Sequence, residues 1–313
     1  QPRIAAQIAR QATVLGKAEK FAVVFGAMGI TFEEANFFIE DFRNTGALER
    51  AVLFLNLANE PPIERIATPR LSLTCAEYLA FELDMHVLVI LVDYTFYAEA
   101  LREISAALEE MPGEDGYPTY LGSRLSGFIE RAGVVETVTG ARGSLSMILA
   151  VSPPGADFAE PVTQACLRVA GALYLLDTQL AHRRHFPAIN WTQSYSLYSD
   201  TALAHFTEQH KEWARLQGRC RDILQREEAL REIAEVVGME GLQDADRLLM
   251  RTAEKIRLDF LCQNSFTDDA YAPPQSTLEQ MTALIAEHER LKTGLEEGAL
   301  LDDLLKEADD ASG

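Results

Sequence analysis

The sequence contains few cysteines, few basic residues and no long hydrophobic run. Its four cysteines are far apart and form no CxxC pair, which argues against a zinc site or a disulfide framework and predicts reduced, buried thiols. No apolar run reaches the roughly 18 residues that a membrane-spanning helix requires. Residues 1–10 lack the basic-then-apolar pattern of a secretory signal. We therefore expect a cytoplasmic protein without direct membrane insertion, connected to a membrane only through partners.

The charge balance is strongly acidic. The chain has 28 Lys and Arg against 48 Asp and Glu, a formal net charge of -20. Proteins bind nucleic acid by neutralising phosphates with basic side chains, so this surface would repel it. A nucleic-acid partner is therefore excluded.

The first half of the chain alternates between two hydrophobic patterns. Short, almost unbroken apolar runs at residues 21–25, 52–57 and 87–92 are typical of strands buried on both faces of a parallel sheet. Two further runs, at residues 145–151 and 172–176, are expected to extend it. Thr31 with Glu34 predicts a capping box, and Pro69 predicts the start of a helix over residues 70–83. The spacing of apolar residues also predicts one helical face, made of Tyr97, Leu101, Ile104, Leu108 and Met111. This order predicts a doubly wound α/β domain over residues 1–199.

From about Asp200 the pattern is helical only, which predicts a helical bundle over residues 200–313. One apolar stripe is predicted at Leu249, Ala253, Ile256 and Phe260. Ser276 with Glu279 predicts a second capping box. The acidic tail, residues 302–313, is expected to fray.

Asp93 is the first candidate for chemistry. It follows the run at residues 87–92 directly, and parallel sheets bind ligands at the carboxyl ends of their strands. An apolar strand that ends in Asp is typical of the Walker-B arrangement, in which the carboxylate holds Mg²⁺ through water beside nucleotide phosphates. The alternative is an Asp that caps the next helix.

Other motifs are incomplete. A phosphate loop needs G-x-x-x-x-G-K-[ST], but Gly16-Lys17 is the only Gly-Lys pair and Gln11 stands where the first glycine should be. The turn from Gly26 to Gly29 is too short for a dinucleotide fingerprint. His182 and His185 flank two arginines, and a solvated basic turn is favoured there over a metal site. We expect no metal site.

The helix after Asp93 carries a family resemblance. The segment DYT at residues 93–95 with AEALREIS at 98–105 resembles the nucleotide-binding domains of V/A-type rotary ATPase head subunits. Residues 3–104 resemble the non-catalytic B subunit, on IAAQIARQ at 4–11, LNLAN at 55–59 and IATPR at 66–70. From residue 105 to about 300 the chain resembles the catalytic A subunit, on LEEMPG at 108–113, AVSPPG at 150–155, HFPAINW at 185–191 and QNSF at 263–266. A recombined or engineered A/B chimera and an unusual natural paralogue both account for this pattern.

The resemblance implies a RecA-like fold and roles for four residues. Asp93 matches the family's Walker-B aspartate, Phe186 and Phe266 match aromatic positions that pack on adenine, and Arg70 lies in a segment used at subunit contacts. For the two phenylalanines core packing is the alternative, and for Arg70 a solvated helix start. The family's P-loop and N-terminal β-barrel have no counterpart in these residues. The family's catalytic glutamate after the first strand also has no counterpart. The family's arginine finger aligns near Leu197, so that arginine is missing as well.

The resemblance also implies partners. The family forms a hexameric ring of A and B subunits around a central stalk and couples ATP hydrolysis to proton or sodium movement. We expect an oligomer, no catalytic residue in this chain, and Mg-ATP or Mg-ADP binding that is weak or absent. Two alternatives remain: an inactive scaffold that binds neither nucleotide nor partner, and a working nucleotide-hydrolysing ATPase subunit.

Overall fold

The computed structural model describes residues 2–12, 20–138, 140–264, 267 and 271–310. Contacts divide the chain into two compact units, Gln1–Ala170 and Gly171–Gly313. The domain boundary expected at residues 199–200 stays a prediction.

The described residues form seven strands and twelve α-helices. The strands are β1 Phe21–Ile30, β2 Ala51–Leu57, β3 His86–Val92, β4 Gly133–Glu136, β5 Arg142–Leu149, β6 Ala172–Leu173 and β7 Tyr195–Ser196. The helices of the first unit are α1 Pro2–Gln11, α2 Phe32–Asn44, α3 Pro62–Glu77, α4 Tyr94–Ala107, α5 Leu121–Ile129 and α6 Pro161–Leu167. Those of the second unit are α7 Thr178–His182, α8 Ser199–Gln209, α9 Trp213–Val237, α10 Asp244–Lys255, α11 Pro274–Glu296 and α12 Leu301–Asp310.

The first unit contains a five-stranded sheet in the order β2-β1-β3-β5-β4. The pairs β1–β2, β1–β3 and β3–β5 are parallel, whereas β4 pairs antiparallel with β5. The four strands predicted from residues 21–25, 52–57, 87–92 and 145–151 are confirmed. The α/β class with a mainly parallel, RecA-like sheet followed by an all-α bundle is confirmed as well.

The prediction that residues 172–176 extend this sheet is wrong. The five-stranded sheet ends at β4 and does not include this run. Within the second unit, β6 instead pairs antiparallel with β7. Strand β4 was not predicted because its four residues are all exposed and show no buried pattern.

Helices cover both faces of the sheet and bury two hydrophobic clusters. On one face, Phe25 of β1 packs against Phe38 and Phe42 of α2, with ring centroids 4.7 and 5.2 Å apart. On the other, Tyr94 and Tyr97 of α4 pack with Phe128 of α5. Burial of such large rings contributes most of the hydrophobic stabilisation of a domain.

Two predicted helix starts have different outcomes. The capping box is confirmed, because the Glu34 amide donates to Thr31 Oγ1 and the Thr31 amide donates to the Glu34 carboxylate. The helix start at Pro69 is wrong. Helix α3 begins at Pro62, which takes the first-turn position that suits proline, and Pro69 lies buried inside the helix. An interior proline costs about 3 kcal/mol, which burial of this helix face against the sheet offsets.

The helical face predicted after Asp93 is confirmed only in part. Tyr97 and Leu101 are buried in α4, but the helix ends at Ala107. Leu108 and Met111 lie beyond it and are exposed. Periodicity alone continued the apolar stripe past the point where the chain turns.

The second unit is helical from residue 199 apart from its short connections. The predicted stripe at Leu249, Ala253, Ile256 and Phe260 is confirmed in a cluster with α9 and α11. The capping box at Ser276 is wrong, because α11 begins at Pro274 and Ser276 lies inside its first turn. Helix α12 covers Leu301–Asp310, and its Leu301 and Ala308 are buried; fraying of the tail stays a prediction.

The four cysteines are free, and the prediction that they are buried is confirmed for Cys166 and Cys220 but is wrong for Cys75 and Cys262, which are only partly buried. None of the helices in the described residues is long and apolar enough to cross a membrane.

Candidate functional site

The candidate site is the edge of the sheet where β1, β2, β3 and β5 end. These four strands run parallel, so the turns that follow them meet at one edge. Asp93 lies there, directly after β3, as the sequence predicted.

Asp93 has an unusual backbone conformation. Its φ of 56° and ψ of 44° are left-handed, and it stands at the N-cap of α4 without a capping bond from its side chain. The helix is held by neighbours instead: the Tyr94 amide donates to the Ala150 carbonyl at 2.9 Å, and the Ser152 amide donates to Thr95 Oγ1 at 2.9 Å. The capping alternative is therefore not what this side chain does. Left-handed backbone at a non-glycine residue is strained and is frequent at functional sites.

The environment of Asp93 disfavours its charge. Burial raises the pKa of this carboxyl, and the negative charge of Glu34 raises it further. Glu34 is held at this edge by the capping box. A half-buried carboxylate with an acidic neighbour is stabilised by a cation, which is the electrostatic requirement of a Mg²⁺-side residue.

The turn expected from Gly26 to Gly29 is the end of β1, and a polar network that sequence reasoning missed fixes it. Asn56 is 2 % exposed; its Oδ1 accepts from the Gly29 amide at 3.1 Å and from Arg65 Nε at 3.1 Å. Its Nδ2 donates to Glu60 at 2.8 Å. Gly29 has φ of 65°, and a Cβ there would lie 3.0 Å from the ring of Phe96. The signal was available in the sequence, since Asn56 is the one polar residue of the apolar run at residues 52–57.

Of the other predicted residues, the structure describes Arg70 and Phe186. Arg70 is exposed on α3, and its positive charge opposes the rise that burial causes in the pKa of Tyr97. Phe186 belongs to the second unit and is 51 % exposed, so it is not a core residue. Phe266 lies outside the described residues, as does the Gly16-Lys17 pair.

The solvated basic turn predicted between His182 and His185 is confirmed except at His185, since Arg183 and Arg184 are exposed. His182 is exposed, but His185 is buried with its ring centroid 5.5 Å from that of Trp191. Burial lowers the pKa of His185, and the Arg257 charge lowers it further. Among the described residues, no three His, Cys, Asp or Glu side chains are grouped so that they could hold a metal ion.

One end of the bundle exposes apolar side chains. Helix α9 stops at Gly238, whose φ is 79°. The exposed residues at this tip are Ile233, Val236, Val237 and Met239. We call these four residues the α9 tip. An exposed apolar group with an acidic surround is typical of a protein contact.

Comparison with known proteins decides the family. Residues 1–196 match the model of the ATP synthase alpha/beta family, nucleotide-binding domain. The chain belongs to this family. Residues 204–300 match the C-terminal domain of V and A type ATP synthase.

Curated relatives carry consistent names. The chain is 44 % identical over 270 residues to a V-type ATP synthase alpha chain of Anaeromyxobacter dehalogenans, covering 85 % of this chain and 46 % of the relative. It is 47 % identical over 249 residues to the A subunit of the A-type ATP synthase of Staphylothermus marinus, covering 77 % of this chain and 41 % of the relative. The corresponding A subunit of Methanopyrus kandleri is 42 % identical over 300 residues, covering 92 % of this chain and 50 % of the relative. The chain thus spans about half the length of the curated relatives it matches.

Proposed function

We propose that the chain is part of a head subunit of a V/A-type rotary ATPase, on the cytoplasmic side of a complex that couples ATP hydrolysis or synthesis to proton or sodium transport. These residues serve assembly of the head and contact with the central stalk rather than hydrolysis. The observation that carries the proposal is the match of nearly the whole chain to this family's nucleotide-binding and C-terminal domains. The relatives named above are components of ATP synthases, which supports partners in a ring.

Asp93 is the residue proposed on the nucleotide side. Its carboxylate caps no helix and has Glu34 as an electrostatic neighbour, so it fits the role of holding hydrated Mg²⁺ beside a nucleotide. The Mg²⁺ of a bound Mg-nucleotide would supply the positive charge that these two carboxylates lack. We propose Phe186 and Phe266 as the residues that pack on adenine, and the exposure of Phe186 leaves its ring accessible. Arg70, exposed on α3, is proposed as a contact to a neighbouring subunit.

A non-catalytic role rests on the groups at the corresponding positions. The segment from Gly26 to Ile30 at the end of β1 contains no glutamate, where the catalytic paralogue has one. Leu197 stands where the arginine finger falls, and loss of that group costs on the order of 10³ to 10⁵ in rate. Hydrolysis by these residues alone should therefore be negligible. The competing proposal, an active ATPase subunit, has only Asp93 and the aromatic pair in its favour.

Titration calorimetry with Mg-ADP and Mg-ATP distinguishes these two roles. Weak or absent heat at millimolar nucleotide, with no phosphate release, is expected. Steady phosphate release that Asp93→Asn abolishes would favour the hydrolytic role.

The α9 tip is the proposed stalk contact. Its four side chains are apolar and exposed, as a protein-binding surface requires. Val236→Asp should weaken binding of the chain to the central stalk by at least about tenfold, because a charge would be desolvated in the contact. Leu300→Asp is the matched control, since Leu300 is also exposed in the second unit but lies away from the tip in sequence. Equal effects of the two substitutions would refute this assignment.

We further propose that residues 3–104 descend from a B-type and later residues from an A-type subunit. The blocks at residues 4–11, 55–59 and 66–70 support this origin. Comparing residues 3–104 alone with B-type and A-type subunits tests it, and a higher identity to A-type subunits would contradict it.

We place the domain boundary near residues 199–200, supported by family matches that end at residue 196 and resume at 204. Limited proteolysis should cut the chain first between residues 196 and 204.

A further inference from the structure

Asp93 does not adopt the conformation that an aspartate at the start of a helix prefers. Such a residue normally has extended backbone and folds its carboxylate back onto the first amides of the helix. Asp93 is instead left-handed, with φ of 56° and ψ of 44°, and its side chain makes no capping bond. Left-handed backbone is strained for a residue with a Cβ. A contact nearby must therefore hold this conformation against the relaxed, capping one.

Thr95, in the first turn of α4, ties the start of this helix to a neighbouring segment. Its side chain is buried, at 5 % exposure. Its Oγ1 accepts from the Ser152 amide at 2.9 Å and donates to the Ser152 carbonyl at 3.3 Å. Ser152 lies in the segment that follows β5, the strand beside β3 in the sheet. The two contacts thus join the turns that follow two adjacent strands at the edge where Asp93 lies.

The Thr95 hydroxyl is a contact of this turn that depends on the residue type. The Tyr94 amide also donates to the Ala150 carbonyl, but that bond joins backbone groups and needs no particular side chain. The strain of one left-handed residue and the net stabilisation from two hydrogen bonds are similar in size. Loss of the hydroxyl is therefore enough to let the left-handed and the capping conformations of Asp93 compete.

We propose that Thr95 is a positioning residue for Asp93. Its contacts with Ser152 hold the left-handed backbone, which keeps the Asp93 carboxylate off the amides of α4 and available to a divalent cation. The inference rests on the proposed function in one respect, namely that Asp93 faces the Mg²⁺ of a nucleotide. Without the hydroxyl, Asp93 relaxes toward extended backbone, and its carboxylate accepts from the helix amides instead of binding a cation.

The test compares Thr95→Val with Thr95→Ser in the full chain, labelled with carbon-13 at its aspartates. The carboxyl signal of Asp93 is the one that disappears in Asp93→Asn. Paramagnetic Mn²⁺, added alone and with ADP, is the probe, because it broadens the signal of a carboxylate beside which it binds. Thr95→Val should need about tenfold more Mn²⁺ than the original chain, since about a tenth of the molecules keep the binding conformation. Thr95→Ser keeps the hydroxyl and should respond as the original chain does.

Thr68→Val is the matched control. Thr68 of α3 is 8 % exposed, and its Oγ1 donates to the Glu64 carbonyl at 2.8 Å. This substitution therefore also removes a buried hydroxyl bond in the first unit. It should lower the midpoint of urea unfolding much as Thr95→Val does, yet leave the Mn²⁺ response of Asp93 unchanged. If Thr95 served stability alone, the two valine variants would respond to Mn²⁺ alike.

The backbone of Asp93 provides a second measurement that needs no cation. The Cα and Cβ chemical shifts of Asp93 distinguish left-handed from extended backbone, and they should move toward extended values in Thr95→Val but not in Thr95→Ser. Unchanged shifts in a folded Thr95→Val chain would overturn the proposal, and so would a Mn²⁺ response equal to that of the original chain. Should Thr95→Val not fold, Thr95→Ala removes the same hydroxyl and must give the same changes.

Failure of the proposed function looks different. In that case neither Mn²⁺ nor Mn-ADP affects the Asp93 signal of the original chain, so Asp93 is not a cation-side residue. The backbone shifts of the Thr95 variants then still decide whether this side chain holds the left-handed conformation.

Discussion

Glu227 of α9 is a nearly fully buried carboxylate with two arginine partners. Its side chain is 2 % exposed. Arg231 Nη2 contacts both carboxylate oxygens at 2.7 Å, and Arg257 Nη1 contacts one at 3.1 Å. Burial lowers the pKa of Arg257 and Glu227 opposes that shift. We predict that Glu227→Gln strongly destabilises the second unit, because it leaves two guanidinium groups without their counter-charge.

The magnitude follows from the exposure of the two arginines. Removing one partner of a buried ion pair costs roughly 3–5 kcal/mol. Arg231 is 39 % exposed and can turn toward water, whereas Arg257 is 21 % exposed. We therefore expect the lower end, about 3 kcal/mol, which is roughly a 1–2 M decrease in the urea midpoint.

Tryptophan fluorescence during urea unfolding measures this effect in the correct unit. The chain has two tryptophans, Trp191 and Trp213, and both pack against the bundle core. Glu232→Gln is the matched control, since Glu232 is exposed on the same helix and should change stability by less than about 0.5 kcal/mol. Equal midpoints for the two variants would refute the reasoning.

Three further predictions concern strain, packing and pH. Asp93→Asn should stabilise the first unit at pH 7 by roughly 0.5–2 kcal/mol. The pKa of Asp93 is raised in the folded state, so this gain in stability should vanish as pH falls below the unfolded pKa near 4. A difference between the two urea midpoints, measured by circular dichroism, that does not change with pH would contradict the prediction. Gly143→Ala should cost at least about 3 kcal/mol in circular-dichroism melts, because its Cβ would lie 1.8 Å from the Ala80 carbonyl oxygen, whereas Gly122→Ala in α5 meets nothing within 4 Å and should be neutral or stabilising. Burial lowers the pKa of His288, so the folded state favours its neutral form. The second unit should therefore lose stability as pH falls below the unfolded pKa of histidine near 6.5, by at most about 1.4 kcal/mol per pH unit. In unfolding followed by fluorescence, His288→Gln should reduce this dependence of stability on pH.

The sequence predicted the sheet well because its strands are buried on both faces. Continuous apolar runs such as residues 87–92 have few other stable placements, and the acid after them must then lie at the carboxyl edge. The antiparallel strand β4 gave no such signal, since its valines are exposed. Residues 172–173 pair instead with β7, a partner more than twenty residues further along that no local pattern indicates.

Local helix signals predicted less. Thr31 with Glu34 formed its capping box, whereas Ser276 with Glu279 did not, because Pro274 begins that helix earlier. Pro69 was likewise overridden by Pro62. In both cases an earlier proline provided a better first-turn residue, and packing of the following turns against the core decided the boundary.

At the candidate site, sequence reasoning found Asp93 but not what surrounds it. The contacts of Asn56 with Gly29 and Arg65 depend on the register of β1 against β2, which no short motif encodes. The left-handed backbone of Asp93 is also a property of the fold.

Assembly with V/A-type partners tests the central claim most directly. The chain should be mixed with A- and B-type head subunits and a central-stalk protein, and the complexes should be weighed by native mass spectrometry. The account predicts hetero-oligomers that contain this chain, without phosphate release attributable to it. A folded chain that remains a strict monomer in every mixture would contradict the account.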